Sequence, residues 1–184
     1  FGVSAASLRC LETLPESVRT RFAALGDRIE PGLFALPATG VELDRLALSP
    51  AERDRARQEI RAAAGDCVVL IPATLQPGKG QRQAVEAASR LGDAPRPVLW
   101  ALAGGEHYQF PGFRAELERE IRARGLEERF RLLGHRDDMP RLLAAADLVA
   151  LPSVLAEGLP CAIMEALAAG RPVVASRIGG IPEA

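Results

Sequence analysis

The chain has little of what would send it to a nucleic acid, a membrane or a disulfide framework. Aromatic residues make up 4% of its 184 positions, too few for a surface on which bases stack. Basic and acidic residues nearly cancel, 23 against 24, and the sequence pI is about 6.2, so no bulk field draws it to polyanions. No run approaches the about 18 apolar residues of a membrane-spanning helix, and no basic-then-apolar leader opens the chain. Cys10, Cys67 and Cys161 are odd in number and contain no C-x-x-C pair, which reads as reduced intracellular thiols. A cytoplasmic protein is expected, although both ends look cut and a missing leader carries little weight. Lysine is nearly absent too: of the 23 basic residues all but Lys79 are arginine.

What is present is ordinary for a globular domain, 48% apolar and 26% charged, in a chain that buries enough surface to need neither disulfide nor metal. Residues 1–48 read as a separate piece, with short helical stretches at 7–14 and up to Leu25, a short strand at 29–36 and a turn at 37–40. Ser49-Pro50-Ala51-Glu52 is a helix start, with Ser49 at the N-cap and Glu52 closing a capping box. That helix is expected to run to Ala64 and stop at Gly65. Strands and helices then alternate: strands at 67–71, 98–103, 130–133, 148–151 and 173–175, helices at 81–91, 113–124, 138–145 and 160–169. Such alternation with short connections predicts an α/β fold, a Rossmann-like parallel sheet with helices on both faces. Ligands of such sheets bind outside the carboxyl ends of the strands, so the loops to watch are 72–80, 104–112, 134–138, 152–160 and 176–183.

The most informative of these begins Pro152-Ser153 and runs into the helix closed by Gly170. Pro160 marks the first helical turn, so unpaired N–H groups near Gly158 to Ala162 suit a diphosphate through free donors and helix dipole together. Glu165 is a lone carboxylate in an otherwise apolar helix and must meet donors, a cleft or a gap to solvent. Glu157 precedes the helix; it is either an acid favoured by the dipole or a site residue. His107 and His135 stand apart from any Cys, Asp or Glu set, and no metal site is expected. Gly104-Gly105 ends a strand and reads as a turn more readily than as a phosphate contact.

Glu157 and Glu165, with seven residues between them inside P-S-x-x-x-E-G-L-P-x-x-x-x-E, resemble the Glu-x7-Glu motif of the GT4 family of retaining GT-B glycosyltransferases. The likeness continues in order over residues 65–184. Residues 73–80 resemble the family's first donor-domain loop, 133–140 with 145–147 the segment framing the nucleotide base, and 179–183 the loop closing the donor site. Residues 1–48 look like the tail of an acceptor domain and the interdomain linker, leaving 49–184 as a donor-binding domain incomplete at its C-terminus.

The resemblance implies transfer of a sugar from a nucleoside diphosphate sugar with retention of configuration, without a cofactor or a metal. The acceptor, a glycan or a lipid-linked sugar, would be held by a domain outside this chain, which would also carry any peripheral membrane association. Bacterial polysaccharide synthesis is the family's commonest use. Glu165 would bond the ribose, Glu157 would lie by the sugar, and Gly158 and Leu159 would hold sugar hydroxyls or phosphate. Lys79 would offset charge on the leaving diphosphate. Thr74, Arg136, Gly179 and Gly180 complete the implied donor site. One departure stands out: Ala73-Thr74 occupies positions where many members carry Gly-Arg, so a neighbour such as Arg82 or Arg136 substitutes, or diphosphate binding is weaker, or the activity has drifted. A catalytically silent nucleotide-sugar-binding relative and another GT-B enzyme, such as an epimerase or phosphorylase, are the alternatives. A dinucleotide oxidoreductase is disfavoured, since no G-x-G-x-x-G follows the first strand.

Overall fold

A computed structural model describes residues 49–91, 95–155, 157–158 and 160–183. The elements expected within 1–48, and the division of the chain at residue 48, lie outside the described residues.

Five parallel strands form one sheet: β1 (Cys67–Pro72), β2 (Val98–Ala103), β3 (Phe130–Gly134), β4 (Leu148–Leu151) and β5 (Val173–Ala175). Their order is β3-β2-β1-β4-β5. Helices α1 (Pro50–Glu59), α2 (Gln81–Arg90), α3 (Phe113–Ala123), α4 (Met139–Ala145) and α5 (Cys161–Ala168) cover the two faces. This is the α/β, Rossmann-like fold expected from the alternation.

Why both faces are covered follows from the strands themselves. Apolar residues run without interruption along β1 and β2, and successive side chains point to opposite sides. Cys67, Val69 and Ile71 join Val98, Trp100 and Leu102 against α2 and α3, which contribute Val85, Ala88, Leu117 and Ile121. Val68 and Leu70 join Leu99, Ala101, Val149 and Leu151 against α1, α4 and α5, with Ala56, Leu142, Leu143, Ile163 and Ala166. Each fully buried Val, Leu or Ile contributes about 1.5–3 kcal/mol, so packing helices on both faces of the sheet stabilises the fold.

The capping box at Ser49 and Glu52 forms as expected, with the Glu52 carboxylate accepting from Ser49 N at 2.8 Å. Its helix is shorter than the pattern predicted. It ends at Glu59, and Arg61 takes a left-handed φ of 56°. Tertiary bonds decide this: Arg57 donates to Ala145 O at 3.0 Å and to Asp66 O at 2.7 Å, holding the chain where it turns into β1. Asp147, just before β4, accepts from Arg53 at 2.6 Å, Arg57 at 3.0 Å and Val68 N at 2.8 Å. These groups clamp α1 to the amino ends of β1 and β4, the sheet edge away from the predicted loops.

Cys161 is a free, exposed thiol. Among the described residues no helix is long and apolar enough to cross a membrane.

Candidate functional site at the carboxyl edge of the sheet

The strand order places a switch point between β1 and β4. From β1 the chain winds outward through β2 to β3, then returns across β1 to build β4 and β5 on the other side. The loops leaving β1 and β4 therefore part from opposite faces and leave a crevice between them, the usual ligand seat of such sheets.

Backbone contacts close the floor of this crevice. Gly78 O accepts from Val154 N at 2.9 Å, joining the β1 loop to the β4 loop. Gly80 has φ +76°, and a Cβ there would lie 1.8 Å from Pro152 O, so only glycine fits. Gln81, fully buried, donates its side-chain amide to Thr74 O at 2.9 Å and holds the loop's other end. Leu75 extends the connection to the β2 loop, its N–H donating to Gly105 O at 2.8 Å and its carbonyl accepting from His107 N at 3.1 Å.

Across the crevice the structure brings Lys79 and Glu157 together. Lys79 follows Pro77 and Gly78 in a single 3-10 turn, and its Nζ donates to Glu157 Oε2 at 2.5 Å. The pair is half-buried, with side-chain exposures of 26% and 13%. The other carboxylate oxygen, Oε1, accepts from the hydroxyl of buried Ser153. Behind them the β5 loop holds the backbone of Glu157: Gly180 N donates to Glu157 O at 2.8 Å. A Cβ on Gly179 would lie 2.1 Å from that same oxygen, and its φ is +54°. Gly179 and Gly180 are thus seated against Glu157.

Helix α5 starts at Cys161 rather than at Pro160, which is the N-cap, and no side chain caps it. Glu165 lies about one turn along, half-buried between the buried Ile163 and Ala166. Its carboxylate has no partner among the described residues, and burial pushes its pKa upward from the ordinary value. A desolvated carboxylate with free lone pairs is suited to accept from hydroxyls of a ligand. Gly158 is exposed at the entrance to the helix, and Leu159 lies outside the described residues.

The remaining candidates stand differently. Thr74 is exposed and contributes its carbonyl to Gln81. Arg136 is held by Asp138 through two bonds, 2.7 Å from Nε and 2.6 Å from Nη2. That pairing raises the arginine pKa and lowers the aspartate's. Arg82 bonds Glu116 at 2.6 Å and sits over the Phe113 ring at 5.3 Å. Both arginines that could replace a cation at Thr74 therefore hold protein carboxylates. His135 is exposed and bonded to Asp137 at 3.0 Å, and His107 stacks on Tyr108. Gly104 is a close backbone crossing, where a Cβ would lie 2.1 Å from Ala73 O. No group of three or more His, Cys, Asp or Glu able to hold a metal occurs among the described residues.

Sequence reasoning missed Ser153 and Gln81 as site residues. Ser153 stands inside the quoted motif, but a serine after a strand has no distinguishing pattern. Gln81 opens α2, where a polar residue looks like surface.

Comparison with known proteins bears on the family and the fold. A family model for glycosyl transferases group 1 matches residues 66–184. The chain belongs to that family. Its type is GT4, and its matched region corresponds to the family's C-terminal domain. The 2-deoxystreptamine glucosyltransferase of Streptomyces kanamyceticus is 30% identical over 174 residues, covering 93% of this chain and 43% of that protein. The D-inositol 3-phosphate glycosyltransferase of Mycobacterium sp. strain KMS is 32% identical over 157 residues, 84% of this chain and 34% of that protein. The crystal structure of Anabaena Alr3699/HepE in complex with UDP and glucose superposes with a TM-score of 0.73 at 35% identity, over 78% of this chain and 38% of that one. This group 1 family chain thus spans less than half the length of each of these three relatives.

Proposed function

We propose that the chain is the donor-binding part of a retaining GT4 glycosyltransferase and takes a nucleoside diphosphate sugar in the crevice between the β1 and β4 loops. The Lys79–Glu157 pair at the switch point carries this reading: a cation and a carboxylate face each other at 2.5 Å where a diphosphate and its sugar would enter. Lys79 turns to the diphosphate and offsets the negative charge that grows on it as the glycosidic bond breaks. Glu157 lies by the sugar and stabilises positive charge at the anomeric carbon. Glu165 accepts from the ribose hydroxyls, which relieves a desolvated carboxylate that has no partner in the protein. The uncapped N-terminus of α5, with Gly158 and Leu159 before it, receives phosphate or sugar oxygens. Neither a metal nor a cofactor takes part. UDP and UDP-glucose are the first ligands to try, since Anabaena HepE has been crystallised with each.

On this reading residues 1–48 join the donor domain to an acceptor domain. The acceptor, a glycan or lipid-linked sugar, is bound by the part of the protein that the relatives have beyond the matched region. The chain alone then binds donor but transfers little. A cytoplasmic setting suits a nucleotide-sugar donor.

A second reading, a nucleotide-sugar-binding relative without catalysis, is favoured by one observation. Thr74 supplies no charge, and Arg82 and Arg136 are both committed to protein carboxylates.

Calorimetric titration with UDP, GDP, ADP and their glucose conjugates tests the donor site. One diphosphate is expected to bind, and Lys79→Ala should weaken it by about 1.5–3 kcal/mol, the worth of a charge-assisted hydrogen bond. A folded chain that binds none of them would refute the proposal. Tight binding by a full-length protein that transfers no sugar would select the second reading.

A further inference from the structure

The carboxylate of Glu157 has two side-chain partners among the described residues, and they differ in kind. Lys79 is 26% exposed at the end of a flexible four-carbon stem, a strongly hydrated point charge that exchanges partners readily. Ser153 is 3% exposed, two residues past the end of β4, next to the Val154–Gly78 bond that closes the crevice floor. A diphosphate entering the crevice offers the ammonium several anionic oxygens and draws it from Glu157. The carboxylate, only 13% exposed, would then lose its counterion, and a half-buried carboxylate without a donor swings toward one. The serine hydroxyl has no such freedom to leave. It donates to Oε1, while Gly180 holds the Glu157 backbone independently at 2.8 Å, so the hydroxyl fixes the side chain rather than the loop.

We propose that Ser153 is a positioning residue: it holds the Glu157 carboxylate toward the sugar when Lys79 transfers to the diphosphate of the donor. This rests on the donor-site reading above. It divides the labour at the carboxylate between a mobile cation that leaves and a buried hydroxyl that stays.

The test separates sugar binding from diphosphate binding by calorimetric titration of the chain with UDP and with UDP-glucose. Ser153→Ala should weaken UDP-glucose about tenfold while leaving UDP within about twofold, as expected for one hydrogen bond to a charged group. Ser153→Thr, which keeps the hydroxyl, should restore the wild-type ratio. In a Glu157→Ala background, Ser153→Ala should change that ratio no further, because the carboxylate that the hydroxyl holds is already gone. Equal weakening of both ligands, no change in either, or losses that add in the double variant would overturn the proposal. Wild-type chain that binds neither ligand would remove the donor-site reading, and this inference with it; wild type that binds both with an unaltered ratio in Ser153→Ala would remove the inference alone.

Discussion

Replacing Gly80 by alanine should damage the crevice more than any other single methyl addition at a glycine of this loop, and the structure supplies the magnitude. Two costs coincide. The residue sits at φ +76°, which costs an alanine about 1–2 kcal/mol. The new Cβ would also lie 1.8 Å from Pro152 O. A carbon and a carbonyl oxygen approach to about 3.3 Å, so one wall must retreat by about 1.5 Å. That retreat breaks the Val154–Gly78 bond, worth about 1 kcal/mol, and parts Lys79 from Glu157. Together the loss is about 2–4 kcal/mol, or a fall in Tm of about 10 °C for a domain of this size. Two control positions separate the terms. Gly170 has φ +66° but nothing within 4 Å of its Cβ, so Gly170→Ala should cost only about 1 kcal/mol, the conformational part. Gly65 has neither constraint, and Gly65→Ala should lie within about 0.5 kcal/mol of wild type. Thermal and urea denaturation of the three variants, with UDP titration of those that fold, reads the ranking. Equal stabilities for Gly80→Ala and Gly170→Ala would refute the claim that the β1 and β4 loops are locked by backbone contact.

Glu165→Gln should stabilise the free chain at neutral pH and weaken nucleotide binding, measured by melting with and without UDP. The sign follows from the raised pKa: the folded state holds the proton more tightly than the unfolded one, so Glu165 costs stability as pH rises from its unfolded pKa through its raised folded pKa. The glutamine variant should flatten that part of the pH–stability profile; an unchanged profile would show that the carboxylate is fully solvated. Asp147→Ala should cost about 2–4 kcal/mol, because it takes the counterion from two half-buried guanidinium groups and the acceptor from the Val68 N–H. Protease cleavage near α1 should rise with it, and a variant as stable and as resistant as wild type would show that the clamp contributes nothing.

Much of this protein was legible before any coordinates. Uninterrupted apolar runs at 67–71 and 98–103 mark strands covered on both faces, and a serine-proline start with glutamate at the third position marks α1. Each is a local signal, carried by residues adjacent in the chain. Such alternation, with its right-handed crossovers, leaves a parallel α/β sheet as the fold. The lone lysine and the two glutamates with seven residues between them pointed to the candidate site because rare or out-of-place charges are visible against their own surroundings. The end of α1 at Glu59 was not visible, since it depends on Arg57 reaching carbonyls at residues 66 and 145. Nor could residue types show that Arg82 and Arg136 are already held by carboxylates, or that Gly179 and Gly180 back the Glu157 main chain. The meeting of Lys79 with Glu157 is of the same kind. Seventy-eight residues separate them, and only the return of the chain across β1 to form β4 sets them on either side of one crevice. Chain order determined which elements form; the strand order, settled by packing both faces at once, decided which loops meet.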